Sequence, residues 1–141
     1  SYPVALHLHQ QLIQARDQVR VAPQPGQTLG EEVAGLGEKD LVIAIGFRRR
    51  PAVFQRLIDR LEQSPVQVIC IGDGTSRRYA VQADCWLECP IDSAGAFDSY
   101  ATAMSLVGVL ANSVLNERIS TGRKRISAIA AAYDDLDELE L

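Results

Sequence analysis

Histidine and cysteine are scarce in this 141-residue chain, with two of the first and three of the second. His7 and His9 lie two apart, so on a helix they point in different directions, and no ligand set of metal-binding spacing accompanies them. No metal and no cofactor are expected. Neither histidine has a carboxylate partner close in sequence, which leaves no clear general base. Cys70, Cys85 and Cys89 form an odd set without disulfide or zinc spacing, and Cys70, inside the apolar run 66–71, reads as a small buried hydrophobe. Reduced thiols and a cytoplasmic location follow. Long apolar runs are missing too. The longest apolar region, 101–115, is too short to span a bilayer and contains Ser105, Asn112 and Ser113, so it is expected to be a buried core helix without a membrane partner. Excess positive charge is also lacking, since the net charge of −4 argues against direct binding of nucleic acid by this chain.

What is present is ordinary for a globular domain: 47% hydrophobic and 23% charged residues, in a length that suits one core and not two. The most informative stretch is Asp40-Leu-Val-Ile-Ala-Ile-Gly-Phe-Arg-Arg-Arg-Pro51. Residues 41–45 read as a strand buried on both faces, and an amphipathic helix is expected from Pro51 to Gln63, burying Val53, Phe54, Leu57, Ile58 and Leu61. The turn between them lies at a strand's carboxyl end and a helix's amino end, where open α/β folds bind ligands and anions. Arg48, Arg49 and Arg50 are unfavourable beside a helix amino end, and a bound anion would offset that cost.

The remaining elements alternate. Residues 1–16 are expected to be helical, capped by Ser1, with Val4, Ala5, Leu8 and Leu12 on one face. Residues 19–22 are a short strand candidate, and Thr28 ahead of Glu31 resembles a capping box for a helix over 28–36. Strands are expected at 66–71 and 85–87, with Ser76 capping a short helix through Gln82 between them. A loop over 92–98 leads into the apolar helix 99–116, with Asp98 and Ser99 as its caps. After Gly122 a last helix, 123–138, carries Ile126, Ile129, Tyr133 and Leu136 along one seam, packed on the domain or on a partner. It has Arg123, Lys124 and Arg125 at its amino end and acidic residues from Asp134 to Glu140 at the other, both against the macrodipole. Strands alternating with helices predict a single α/β domain over 1–141: a three-layer, doubly wound parallel sheet. The chain opens on a capped helix with no strand before it, which predicts a first strand upstream of Ser1.

With the strands placed, Asp40-Leu-Val-Ile-Ala-Ile-Gly-Phe, Val66-Gln-Val-Ile-Cys-Ile-Gly-Asp73 and the Ala83-Asp84 pair resemble the sugar isomerase (SIS) domain. Together with the opening Ser-Tyr-Pro-Val-Ala-Leu and the Phe97-Asp98-Ser99-Tyr100 junction, the chain is similar to the effector domain of RpiR-type bacterial transcriptional regulators. The resemblance implies a flavodoxin-type strand order 2-1-3-4-5 with the first strand missing from this chain. It also implies a helix-turn-helix domain, not in this chain, through which DNA would be bound. In the family, phosphorylated sugars are held by a Ser at the first helix start and a Ser-x-Ser-Gly-x-Thr turn. Ser1 matches the first. At the second, Gly46, Arg48, Arg49 and Pro51 stand where Ser, Ser, Gly and Thr would be expected, so guanidinium groups replace hydroxyls. Arginine forks suit carboxylates and phosphates alike, which admits a sugar acid as well as a sugar phosphate.

The expected ligand set is Ser1, Tyr2, Arg48, Arg49, Arg50, Asp73, Ser76, Arg77 and Ser99, with no catalytic residue. The leading expectation is a non-enzymatic sensor of a small anionic sugar-derived effector, working as a homodimer or tetramer. Two other readings stay open: a phosphosugar aldose–ketose isomerase, for which loop 91–97 offers only Asp92 as a base, and a dimerisation module with a vestigial pocket.

Overall fold

The computed structural model describes residues 1–139. Along the chain run α1 (Tyr2–Ala15), α2 (Leu29–Ala34), β1 (Leu41–Gly46), α3 (Val53–Glu62), β2 (Gln67–Gly72), a 3₁₀ helix (Gly74–Gln82), β3 (Cys85–Glu88), α4 (Ala101–Glu117) and α5 (Ile119–Leu136). The three strands form one parallel sheet in the order β1-β2-β3. Its register aligns Ile45 with Ile71 and Ile71 with Leu87, and aligns Ala44 with Cys70 and Cys70 with Trp86.

Side chains alternate across a strand, so these two rows face opposite layers. Ile43, Ile45, Ile69, Ile71 and Leu87 meet α1 and α4, which contribute Val4, Leu8, Ala103, Val107 and Ala111. Val42, Ala44, Cys70 and Trp86 meet α3 and the 3₁₀ helix through Phe54, Ile58 and Tyr79. Burying Ile58 and Ile71 completely contributes roughly 1.5–3 kcal/mol each. The expected class therefore holds: a parallel sheet between two helical layers. Asp84 fastens the last strand to its neighbour, because its carboxylate accepts the Val68 N–H at 2.7 Å while its own N–H donates to the Val68 carbonyl at 2.9 Å. The capping box is complete, with Thr28 and Glu31 each accepting the other's backbone N–H at the start of α2.

Several expectations are corrected. Residues 19–22 form no strand, and β1 pairs on one side only. With that outer edge open, Leu41 is 51% exposed, so β1 is not buried on both faces along its length. Helix α3 begins at Val53, not Pro51, because the turn through Arg49 (φ 64°) consumes two more residues, and Val53 is exposed. Asp73, not Ser76, occupies the cap position of the 3₁₀ helix. Helix α4 starts at Ala101 and buries only its Ala103, Val107 and Ala111 stripe. Helix α5 starts four residues earlier than expected and contains Gly122, which is buried against Leu115 and lies by the Ala15 carbonyl. Arg123, Lys124 and Arg125 thus leave the first turn, and Arg125 donates to the Ile13 carbonyl at the end of α1, where a cation is favoured. Of the acidic residues expected at the chain's end, Glu140 lies outside the described residues.

Candidate anion-binding corner

Parallel strands bring their carboxyl ends to one rim, so Gly46 and Gly72, paired across β1 and β2, open the same crevice. Neither position has room for a side chain. A Cβ on Gly72 would lie 2.6 Å from the Gly46 carbonyl oxygen, and one on Gly46 would meet the Phe54 ring. The chain leaves β1 through buried Phe47, whose N–H donates to Ser1 Oγ at 3.1 Å. Ser1 thus occupies the cap position of α1, yet its hydroxyl serves the β1 turn and not the helix. Tyr100 closes this side: its ring packs 5.2 Å from that of Phe47, and its hydroxyl accepts from the Ser1 nitrogen at 3.2 Å.

The three arginines diverge. Arg50 turns inward, its side chain 11% exposed, and bolts the ends of β1 and β2 together. Its guanidinium donates to the Gly46 carbonyl at 3.2 Å, to Asp73 Oδ1 at 3.3 Å and to the Thr75 carbonyl at 2.9 Å, and lies 5.6 Å from the Tyr79 ring centre. Arg48 reaches the loop before α4, donating to Asp92 at 3.1 Å and to Asp98 Oδ1. Arg49 donates to Asp98 Oδ2 at 2.7 Å. Asp98 was expected to cap α4; instead one carboxylate is divided between two guanidinium groups.

These contacts set the electrostatics. The Arg48 hydrogen bond holds the Asp98 carboxyl below the usual carboxylate range, and Arg49 adds to it. At Asp73 burial pushes the carboxyl up, but hydrogen bonds from Thr75, the Arg48 N–H and Arg50 outweigh it and leave it lowered. Burial raises the thiols of Cys70, to about 11, and Cys89, so neither is a ready nucleophile.

A cleft of about 660 Å³ runs from the corner along the open edge of β1 to α2. Ser1, Tyr2, Arg48, Arg49 and Arg50 line it together, with Tyr100 beside them. The other expected site residues stand apart from the cleft. Asp73 sits behind Arg50, buried. Ser76 is buried, its hydroxyl donating to the Asp73 carbonyl at 2.7 Å. Arg77 forms a two-pronged pair with Glu88 at 2.9 and 2.8 Å. Ser99 Oγ accepts the Ala101 N–H at 3.3 Å. The sequence reading missed Tyr100, Thr75 and the pairing of Asp98 with the arginines; the Phe97–Tyr100 junction held the only signal for the first and last. Among the described residues there is no group of three or more His, Cys, Asp or Glu placed to hold a metal ion, and no helix long and apolar enough to cross a membrane.

Residues 1–113 match the family model of the SIS domain. The chain is similar in structure to the sugar isomerase domain of an RpiR transcription factor from Sphaerobacter thermophilus, with a TM-score of 0.82 at 19% identity over 93% of this chain and 73% of that one. A second solved structure, described as a hypothetical protein, aligns with a TM-score of 0.64 at 12% identity over 89% of this chain and 70% of that one. Identities this low speak to fold. No curated protein matches the chain.

Proposed function

The chain belongs to the SIS domain family, and from that premise we propose that it is the effector-sensing domain of an RpiR-type transcriptional regulator in the cytoplasm. The effector is a small anionic sugar derivative, a sugar phosphate or a sugar acid, and DNA is bound through a separate helix-turn-helix domain. The observation that carries this reading is the meeting of Arg48, Arg49 and Ser1 at one end of the cleft, at the carboxyl rim of the sheet. Guanidinium forks at that rim suit a planar or tetrahedral anion, and the cleft beyond them has room for a sugar. The likeness of fold to the Sphaerobacter thermophilus domain agrees with the regulator class.

Binding without turnover is favoured over isomerisation by the same electrostatics. Asp92, the one base that loop 91–97 offers, is paired with Arg48 at 3.1 Å, and Asp98 and Asp73 are likewise engaged by arginines, so each carboxylate at the rim is tied to a cation and not left open toward a substrate carbon. For assembly we propose a homodimer joined through α5. Ile126, Tyr133 and Leu136 form an exposed apolar stripe there, and antiparallel pairing would set Arg123 of one copy toward Asp134 of the other.

The test is thermal melting with a panel of sugar phosphates and sugar acids. At least one is expected to raise Tm by several degrees, and the double variant Arg48→Ala/Arg49→Ala to lose that gain. Undiminished stabilisation of the double variant would remove the corner from the ligand site, and turnover of any phosphosugar would restore the isomerase reading.

A further inference from the structure

The two outer arginines of the corner already hold an anion, and it belongs to the protein. Both Asp98 oxygens are engaged, Oδ1 by Arg48 Nη2 and Oδ2 by Arg49 Nη2. This is the geometry that a ligand carboxylate, or two oxygens of a phosphate, would adopt between the same two groups. We propose that Asp98 is a built-in competitor for the anion seat: an incoming carboxylate or phosphate displaces its side chain from Arg48 and Arg49, and the displacement carries the binding signal into α4. The proposal rests on the reading of this corner as the ligand site.

The contacts around Asp98 make it a releasable clasp and also a coupled one. Its side chain is 16% exposed, while that of Arg49 is 82% exposed, so an anion can approach Arg49 from solvent. Asp92, the other partner of Arg48, is 81% exposed and touches it once, at 3.1 Å, so it adds little to the hold. Arg49 adopts a left-handed φ of 64°, unfavourable outside glycine, in the turn that presents it to Asp98.

Beyond Asp98 the chain leads directly into α4. Ser99 ties the loop at its base, its N–H donating to the Ile91 carbonyl at 2.8 Å and its hydroxyl accepting from Ala101. Tyr100 packs on Phe47, the residue next to Arg48. Asp98 is the tightest of the loop's ties to the corner, beside the exposed Asp92 contact and the base at Ser99; with Asp98 displaced, residues 92–98 keep only the weaker Asp92 contact and their base, and gain freedom next to α4. A ligand that prefers the released arrangement thereby shifts the population toward it.

Inorganic phosphate serves as the probe, with binding read by calorimetry and loop freedom by amide hydrogen exchange. In the wild type, phosphate is expected to stabilise the domain while speeding exchange over 92–98. Asp98→Asn keeps the shape of the side chain but removes the competing charge, and is expected to bind phosphate about tenfold more tightly, whereas Asp92→Asn changes affinity by less than about twofold. If Asp98→Asn binds phosphate no more tightly while Arg48→Ala/Arg49→Ala loses binding, the anion seat stands and the competitor falls. If phosphate slows exchange over 92–98 in the wild type, Asp98 supports the ligand, and the proposal is likewise overturned without recourse to any variant. If the double arginine variant binds phosphate as well as the wild type, the functional reading and the clasp fail together.

Discussion

Asp98 and Asp73 show what the residue scale decides. Each carboxylate is stabilised in its charged form, Asp98 by Arg48 and Arg49, and Asp73, against its burial, by Thr75, the Arg48 N–H and Arg50, so each has a folded pKa below its unfolded one. Stabilisation from a depressed carboxylate is complete above the unfolded value of about 4 and is lost as pH falls through the folded value. The urea midpoint is therefore expected to stay level from about pH 7 to 5 and to fall below about pH 4. Asp73→Asn should lower the level part and flatten the acid fall, because the neutral amide cannot pair with Arg50. A wild-type midpoint that rose on acidification would contradict the assignment. The arginine cluster was legible in the sequence because its members are adjacent. Their partners were not: Asp98 lies 50 positions from Arg48, and nothing local chooses it over Asp92.

At the scale of elements, apolar pattern placed β1, β2, β3, α1 and α4 within a residue or two of their observed bounds. The failures have local causes. Gly122 reads as the residue before the last helix, yet it lies inside α5 because close packing on Leu115 and by the Ala15 carbonyl outweighs glycine's low helix propensity. Residues 19–22 have strand-like composition, but a strand exists only when a neighbour pairs with it, and the facing edge of β1 stays open. Gly72 is a test of how tightly the strand ends are drawn together. Gly72→Ala would press a methyl group against the Gly46 carbonyl and the Ser76 hydroxyl, and is expected to cost on the order of 2 kcal/mol in a urea melt. A loss below a few tenths would mean that the rim is looser than described.

At the scale of the whole molecule, the exposed face of α5 bears on assembly. Helix α5 packs on α1 through Gly122, which lies by the Ala15 carbonyl, and Arg125, which donates to the Ile13 carbonyl, while Ile126, Tyr133 and Leu136 stay exposed near Asp134 and Asp135. If that stripe joins two copies, Ile126→Glu should weaken self-association about a hundredfold by placing a carboxylate in the apolar seam. Light scattering across a concentration series checks this. A variant that remains as dimeric as the wild type would exclude α5 as the contact.

The sequence by itself determined the class of fold, since short continuous apolar runs alternating with helical stripes are buried by a parallel sheet covered on both faces. It also placed three cations at the rim where such sheets bind ligands. Only the tertiary structure decided what each cation does. Arg50 turns inward to Asp73 and Thr75, while Arg48 and Arg49 share Asp98. The physical reason is that a charge takes its role from the partners the fold brings within a few ångströms, and those partners come from distant parts of the chain.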